Sequence, residues 1–345
     1  MVISYSSVFV ALVTTFIAIS LLRPFAININ LTDVPDNRKK HEGHIPLIGG
    51  LGMFIGFLVS ILSTSVDLNQ IKYFFLAAFI VVIIGVLDDH RNISVRSRIF
   101  FQIIAAVIVS EVAGINIESL GDLLAREEIM LNSWSIFFTI IAIIGVVNVV
   151  NMTDGIHGLA GLNCFITLLA LAYFSIIGGN QESLTIAVLM CAVIPPFIID
   201  NLCIGRPKEK RIFMGDAGST FLGLGIAWLL VDLSQGESRS FSPVIALWLF
   251  SVPLIDTIST VLRRILKGKS PFKPDLSHLH HILIRIGFSS KFVLTIILIF
   301  YLIMTIIGIM GELNKVAEWK MFVGFISIFI IYFIFTNYLI LKIKK

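Results

Sequence analysis

Charge is what this 345-residue sequence has least of: Asp, Glu, Lys and Arg make up 14% of it, against 57% hydrophobic residues. A soluble domain of that size could not cover itself with polar surface, which excludes a water-soluble enzyme. Cysteine is scarce as well. Cys164, Cys191 and Cys203 are unevenly spaced inside apolar segments, so they read as small packing residues, with neither a disulfide framework nor a thiolate metal knot. Basic residues exceed acidic ones by only +4, and no basic cluster is interleaved with base-stacking aromatics, so nucleic acid is not an expected partner. There is no low-complexity tract and no evident internal repeat, which sets aside the inverted symmetry of many transporters.

What the sequence has in plenty is the apolar run. Eleven candidate spans, roughly 2–22, 45–66, 71–87, 99–117, 134–152, 158–178, 184–204, 212–232, 243–262, 292–310 and 321–341, recur from end to end. Unpaired backbone groups cannot face lipid, so these spans must be helices. The expected fold is an all-α polytopic membrane protein of about 11 transmembrane helices, one integral-membrane domain over 1–345 with the lipid bilayer as its surroundings. The first run leads to Arg23-Pro24 rather than to a small-residue cleavage site, so it is read as retained and not as a signal peptide. Placing the connections alternately on two sides splits the 26 Lys and Arg residues 21 to 5. By the positive-inside rule the richer side is cytoplasmic, with the N-terminus outside and the C-terminus inside. All seven histidines fall on that cytoplasmic side.

Polar residues gather in four clusters at the cytoplasmic mouths of these helices. Asp88 and Asp89 end the third run, followed by Arg91, Arg96 and Arg98. Adjacent carboxylates repel unless a cation sits beside them, so the pair is either a solvated helix end balanced by those arginines or a divalent-metal or acid/base site. Asn148, Asn151 and Asp154 recur every three residues as one stripe running into Gly155, His157 and Gly158. Such groups are held either by interhelical hydrogen bonds or by a ligand. Asp216 stands between glycines in Phe213-Met214-Gly215-Asp216-Ala217-Gly218, as a helix cap or as a metal ligand. The longest cytoplasmic segment carries Arg263, Arg264, Lys267, Lys269 and Lys273 before His278, His280 and His281, a donor-rich set suited to a polyphosphate. A zinc site is the rival there, but no thiolate and no closed set of four ligands is apparent. Gly49, Gly50, Gly52 and Gly56 fit close helix packing, and Asp256 is either a structural acid or part of the site. Together the clusters suit Mg²⁺-assisted phosphoryl transfer at the membrane surface, between a soluble diphosphate and a lipid phosphate. A secondary transporter or lipid flippase is the alternative from another class.

The segments GVLDD (85–89), NVVNMTDG (148–155), FMGDAGS (213–219), PLIDT (253–257), KGKSPFKPD (267–275) and HLHH (278–281) resemble, in order and spacing, the polyprenyl-phosphate N-acetylhexosamine-1-phosphate transferases. The resemblance covers roughly residues 30–290 and is greatest for the bacterial undecaprenyl-phosphate N-acetylglucosamine-1-phosphate branch of that family. It implies transfer of a HexNAc 1-phosphate, GlcNAc before other amino sugars, from a UDP-sugar donor to undecaprenyl phosphate, with Mg²⁺ or Mn²⁺. UMP is released, and the product initiates cell-envelope polysaccharide synthesis at the bacterial inner membrane. By the same likeness Asp88 is the candidate base, with Asp89 supporting it, and Asp216, Asp154 and Asp88 are the metal ligands. Asn148, Asn151, Asp154 and His157 belong to the nucleotide and metal site, and Phe213 is a uracil platform. Arg263, Arg264, His278, His280 and His281 hold the diphosphate and sugar. The resemblance leaves open direct attack against a covalent Asp88 intermediate, and it is compatible with a homodimer. Members often read Asp-Gly-Ile-Asp-Gly where this chain has Asp154-Gly155-Ile156-His157-Gly158, so a carboxylate role at position 157 is lost.

Overall fold

The computed structural model describes residues 5–34, 43–66, 68–270 and 276–343. Its elements run α1 (Tyr5–Asn28), β1 (Thr32–Asp33), β2 (Ile45–Pro46), α2 (Gly49–Ile61), α3 (Leu68–Arg91), α4 (Val95–Val107), α5 (Ser135–Thr153), α6 (Leu159–Gly178) and α7 (Gln181–Asn201). They continue with α8 (Gly215–Ser234), α9 (Ile245–Leu249), α10 (Ser251–Leu266), α11 (Leu279–Ile286), α12 (Ser290–Leu313) and α13 (Glu318–Ile343). Among the described residues, α1, α3, α5, α6, α7, α8, α12 and α13 lie in eight stretches long and apolar enough to cross a membrane. The protein is therefore an all-helical, multi-pass membrane protein. The other three expected spans are helical but short or broken. α2 has 13 residues, α4 gives way to a π-helical turn at Ile108–Val112, and the ninth span divides into α9 and α10.

That division has an identifiable cause. Pro253 lacks the N–H that would donate to the Leu249 carbonyl one turn back. The Tyr301 hydroxyl of α12 donates to that carbonyl instead, at 2.7 Å, so the break costs no unsatisfied acceptor inside the bundle.

α8 is the centre of the bundle, with 94% of its apolar window buried, and it packs against α2, α3, α5, α6 and α7. Small residues permit the approach. A Cβ on Gly50 would overlap the backbone of Gly218, and one on Gly85 would overlap the backbone of Ala217, so α2 and α3 close directly on the first turn of α8. Gly52 and Gly56 accept Ile19 and Thr15 of α1 in the same manner, which bears out the packing role expected for the glycines of the second span. Short backbone ladders fix the entrance: β1 pairs antiparallel with β2, Phe213 N donates to Pro46 O at 2.9 Å, and Gly49 N donates to Phe213 O at 2.9 Å. The start of α8 is thus pinned from two sides at the end of the bundle where α3, α5 and α10 finish.

Candidate active site

Three of the four predicted clusters meet at the first turn of α8. One guanidinium nitrogen of Arg98, Nη1, donates to Asp88 Oδ2 at 2.7 Å and to Asp216 Oδ2 at 3.2 Å. On its other oxygen Asp216 accepts from Asn151 Nδ2 at 2.7 Å, and the same amide reaches Ser219 Oγ at 2.9 Å. Carboxylates from α3 and α8 are therefore bridged by a cation from α4 and held by an amide from α5. Like charges so placed repel unless a positive charge lies between them. A recess beside this group is lined by Val81, Gly85, Phe101, Gln102, Asn151 and Thr220.

Asp89 faces elsewhere. Its carboxylate accepts from Asp216 N at 2.9 Å and from Ala217 N at 3.4 Å, closing the free donors of the first turn of α8. Gly215 precedes with φ 71°, and a Cβ there would run into the Asp89 carboxylate, so only glycine lets this cap form. Expected as a support for Asp88, Asp89 is instead the side chain that fixes the backbone of Asp216.

The members of the Asn148, Asn151 and Asp154 stripe make different contacts. Asn148 lies a turn deeper, donating to Gln102 Oε1 at 2.8 Å and to Ile144 O at 2.7 Å, the interhelical bond of the plainer reading. Asp154 is the residue at which α5 ends, with φ −76° and ψ 56°, so the backbone leaves the helix directly after it. Among the described residues no three acids, cysteines or histidines stand close enough to hold a metal together, so the expected trio of Asp88, Asp154 and Asp216 does not close into one cage. Asp154 remains at the same mouth. It is open to solvent yet set among crowding protein, and that loss of surrounding water, with the negative charge of Asp216, raises its pKa to about 7.

The histidine segment folds over the opposite side of this mouth. His280 is buried against Gly155, where a Cβ would overlap its Nε2, and that nitrogen makes no hydrogen bond among the described residues. Burial first, and the neighbouring His281 second, lower the His280 pKa to about 3, so its ring is neutral at physiological pH. The rings of His278 and His280 stack at 5.7 Å, and those of His280 and His281 lie 4.2 Å apart. His157 stacks on Phe213 at 5.4 Å, so the imidazole that replaces the expected acid shares a platform with the predicted aromatic. Arg263 and Arg264 are each 3% exposed. Arg263 sits behind the segment, donating to Ser277 O at 2.7 Å, Thr260 Oγ1 at 2.9 Å and Thr336 Oγ1 at 2.9 Å, so it anchors the loop rather than reaching into the mouth. Residues 271–275 of the basic segment and 35–42, with Arg38, Lys39, Lys40 and His41, lie outside the described residues.

The profile of Glycosyl transferase family 4 matches residues 71–234, from α3 to the end of α8. The chain is 38% identical to the undecaprenyl-phosphate alpha-N-acetylglucosaminyl 1-phosphate transferase of Haemophilus influenzae over 94% of its own length and 92% of that protein's. The protein of the same name from Pasteurella multocida is 38% identical, over 94% of this chain and 91% of its own. The one from Salmonella typhi is 35% identical, over 92% and 87%. The chain belongs to glycosyl transferase family 4. Within this family 4 member the matched stretch contains Asp88, Asp89, Asn151 and Asp216, whereas α10, α11 and α13 lie beyond it. Of Arg98, Ser219 and Gln102, which complete the polar group around these residues, the sequence marked Arg98 as a balancing charge and Ser219 as part of the segment that opens α8, and gave no sign of Gln102, because nothing in its spacing ties it to this group.

Proposed function

We propose that this protein transfers GlcNAc 1-phosphate from a UDP-sugar to undecaprenyl phosphate, giving undecaprenyl-diphosphate-GlcNAc and UMP, in the bacterial cytoplasmic membrane. The observation that carries this reading is the joining of Asp216 to Asp88 through Arg98 and to Asn151 directly, at one end of the bundle and beside the histidine segment. In this reading all eleven apolar segments cross the bilayer, and the site end faces the cytoplasm, as the uneven distribution of Lys and Arg favours. Acids of a transporter are expected near mid-membrane, whereas these stand at helix ends.

The donor set suits Mg²⁺ or Mn²⁺. The oxygens are hard, the place between Asp88 and Asp216 already accommodates one positive charge, and two protein carboxylates completed by phosphate oxygens and water are what Mg²⁺ takes. Asp88 and Asp216 would hold it, with Asp154 at the edge. When bound, such an ion neutralises charge that develops on the transferring phosphate.

The protein's own groups do the rest. Asp88 removes the proton from the acceptor phosphate, whose oxygen then bonds to the sugar-bearing phosphorus of the donor as the bridging P–O bond breaks and UMP departs. The Arg98 side chain, 32% exposed, keeps Asp88 and Asp216 together and offers its remaining donors to phosphate oxygens. Phe213 and His157 form the stacking surface for uracil. His278, His280 and His281 enclose the diphosphate. A panel of UDP-GlcNAc, UDP-GalNAc and other UDP-amino sugars with undecaprenyl phosphate tests the assignment: UMP release is expected to be fastest with UDP-GlcNAc. Absence of UMP release from every donor, with solute movement across vesicles, would overturn it.

A further inference from the structure

α13 is the most peripheral span, with 17% of its apolar window buried, and its buried residues are Met321, Phe325, Tyr332 and Thr336. Two of those four carry hydroxyls, spaced i and i+4 on one face and almost wholly enclosed. Apolar contact alone would seat such a helix, and a hydroxyl buried in a membrane bundle needs a partner. Both partners lie in the machinery that holds the histidine segment. Tyr332 donates to Asp256 Oδ1 at 2.7 Å, and Thr336 accepts from Arg263 Nη1 at 2.9 Å.

Those partners in turn grip three consecutive residues of the loop. Asp256 Oδ2 stands 2.8 Å from His278 Nδ1, and its Oδ1 also accepts from Leu279 N at 3.0 Å. Arg263 Nη2 donates to Ser277 O at 2.7 Å. A carboxylate on Nδ1 fixes the tautomer and the ring plane of His278, leaving Nε2 as the nitrogen that can meet a ligand. Removing the Tyr332 hydroxyl deprives a buried carboxylate of one of its three donors, and removing that of Thr336 deprives a buried guanidinium of an acceptor.

We propose that α13 is a working part of the donor site, and that Tyr332 and Thr336 are positioning residues acting on His278 through Asp256 and Arg263. This rests on the reading that His278 serves the sugar-nucleotide diphosphate. The test uses the full-length protein in detergent, with KM measured separately for UDP-GlcNAc and for undecaprenyl phosphate, and the melting temperature measured alongside. Tyr332→Phe and Thr336→Val are expected to raise the donor KM about tenfold, the scale of a lost hydrogen bond to a charged group, with the acceptor KM little changed and the melting temperature lowered by a few degrees at most. Thr336→Ser, which keeps the hydroxyl, is expected to restore the wild-type donor KM. In a His278→Ala background, Tyr332→Phe is expected to add nothing.

If His278→Ala raises the donor KM while Tyr332→Phe and Thr336→Val leave it unchanged, or if the effects of Tyr332→Phe and His278→Ala multiply, the proposal is overturned and the donor reading stands. If His278→Ala moves the acceptor KM instead, the donor reading of the loop falls. The positioning role of Tyr332 then requires the same acceptor shift from Tyr332→Phe, and its absence overturns the proposal as well. Should Thr336→Val fail to fold, Tyr332→Phe, which removes a single oxygen, decides alone.

Discussion

Asp88 and Asp89 are neighbours in sequence, and the geometry assigns them different work, which a pair of conservative substitutions separates. In Asp89→Ala the N–H groups of Asp216 and Ala217 lose their acceptor. Loss of a cap costs about 1 kcal/mol, and loss of a charge from a helix N-terminus costs roughly 0.3–1 more. The expected destabilisation is therefore about 1–2 kcal/mol, seen as a drop of a few degrees in melting temperature. Asp89→Asn keeps an amide oxygen that can accept from the same N–H groups, so it should recover much of that stability and retain roughly a tenth or more of the wild-type UMP release. Asp88→Asn, which takes the carboxylate from the base, should fall by about 100-fold or more at nearly unchanged melting temperature. The assay is UMP release from UDP-GlcNAc and undecaprenyl phosphate, beside thermal unfolding in detergent. The reasoning is refuted if Asp89→Asn is as inactive as Asp88→Asn while Asp89→Ala melts like the wild type, because Asp89 would then be acting on the reactants and not on α8.

Other perturbations follow from the same geometry. Gly50→Ala places a Cβ on the backbone of Gly218 and should destabilise by about 1–3 kcal/mol, measured by thermal unfolding; a neutral result would contradict the close seating of α2 on α8. Asp154 is held near pKa 7 in the folded protein against an ordinary 3.8, so between those values the unfolded chain releases a proton that the folded one keeps. Stability of the metal-free protein should therefore decline as pH rises from about 4 to about 7 and level off above, with Asp154→Asn flattening that part of the profile. An unaltered slope in Asp154→Asn would place the titration elsewhere.

Much of this was readable in the sequence where one residue type carries one constraint. Apolar runs gave the helices, and eight of the eleven match the eight apolar stretches of the structure, because a lipid-exposed backbone has few alternatives. The clusters around Asp88, Asn151 and Asp216 were legible because polar groups at span ends are costly enough to require a reason. Orientation within those clusters was not. Asp89 differs from Asp88 by one position along α3, a turn of about 100° that aims it at a helix terminus rather than at Arg98. Asp154 is where α5 ends, and helical periodicity alone does not forecast the residue at which a helix stops. Arg263 read as a phosphate ligand from its charge alone, while its partners Thr336 and Ser277 are 73 and 14 residues away in the chain. Tyr332 lies in an apolar stretch that looks like any other span, and only the fold brings its hydroxyl to Asp256.

The central claim is that Asp88 and Asp216 together form a cation site on which transfer of the sugar phosphate depends. Its most direct test is Mn²⁺ binding by the purified protein, followed by electron paramagnetic resonance with and without UDP-GlcNAc, in the wild type, Asp88→Asn and Asp216→Asn. One bound Mn²⁺ per chain, tightened by the nucleotide sugar and lost in both variants together with UMP release, is the expected result. Mn²⁺ bound equally well by all three proteins, with turnover preserved in Asp216→Asn, would contradict it.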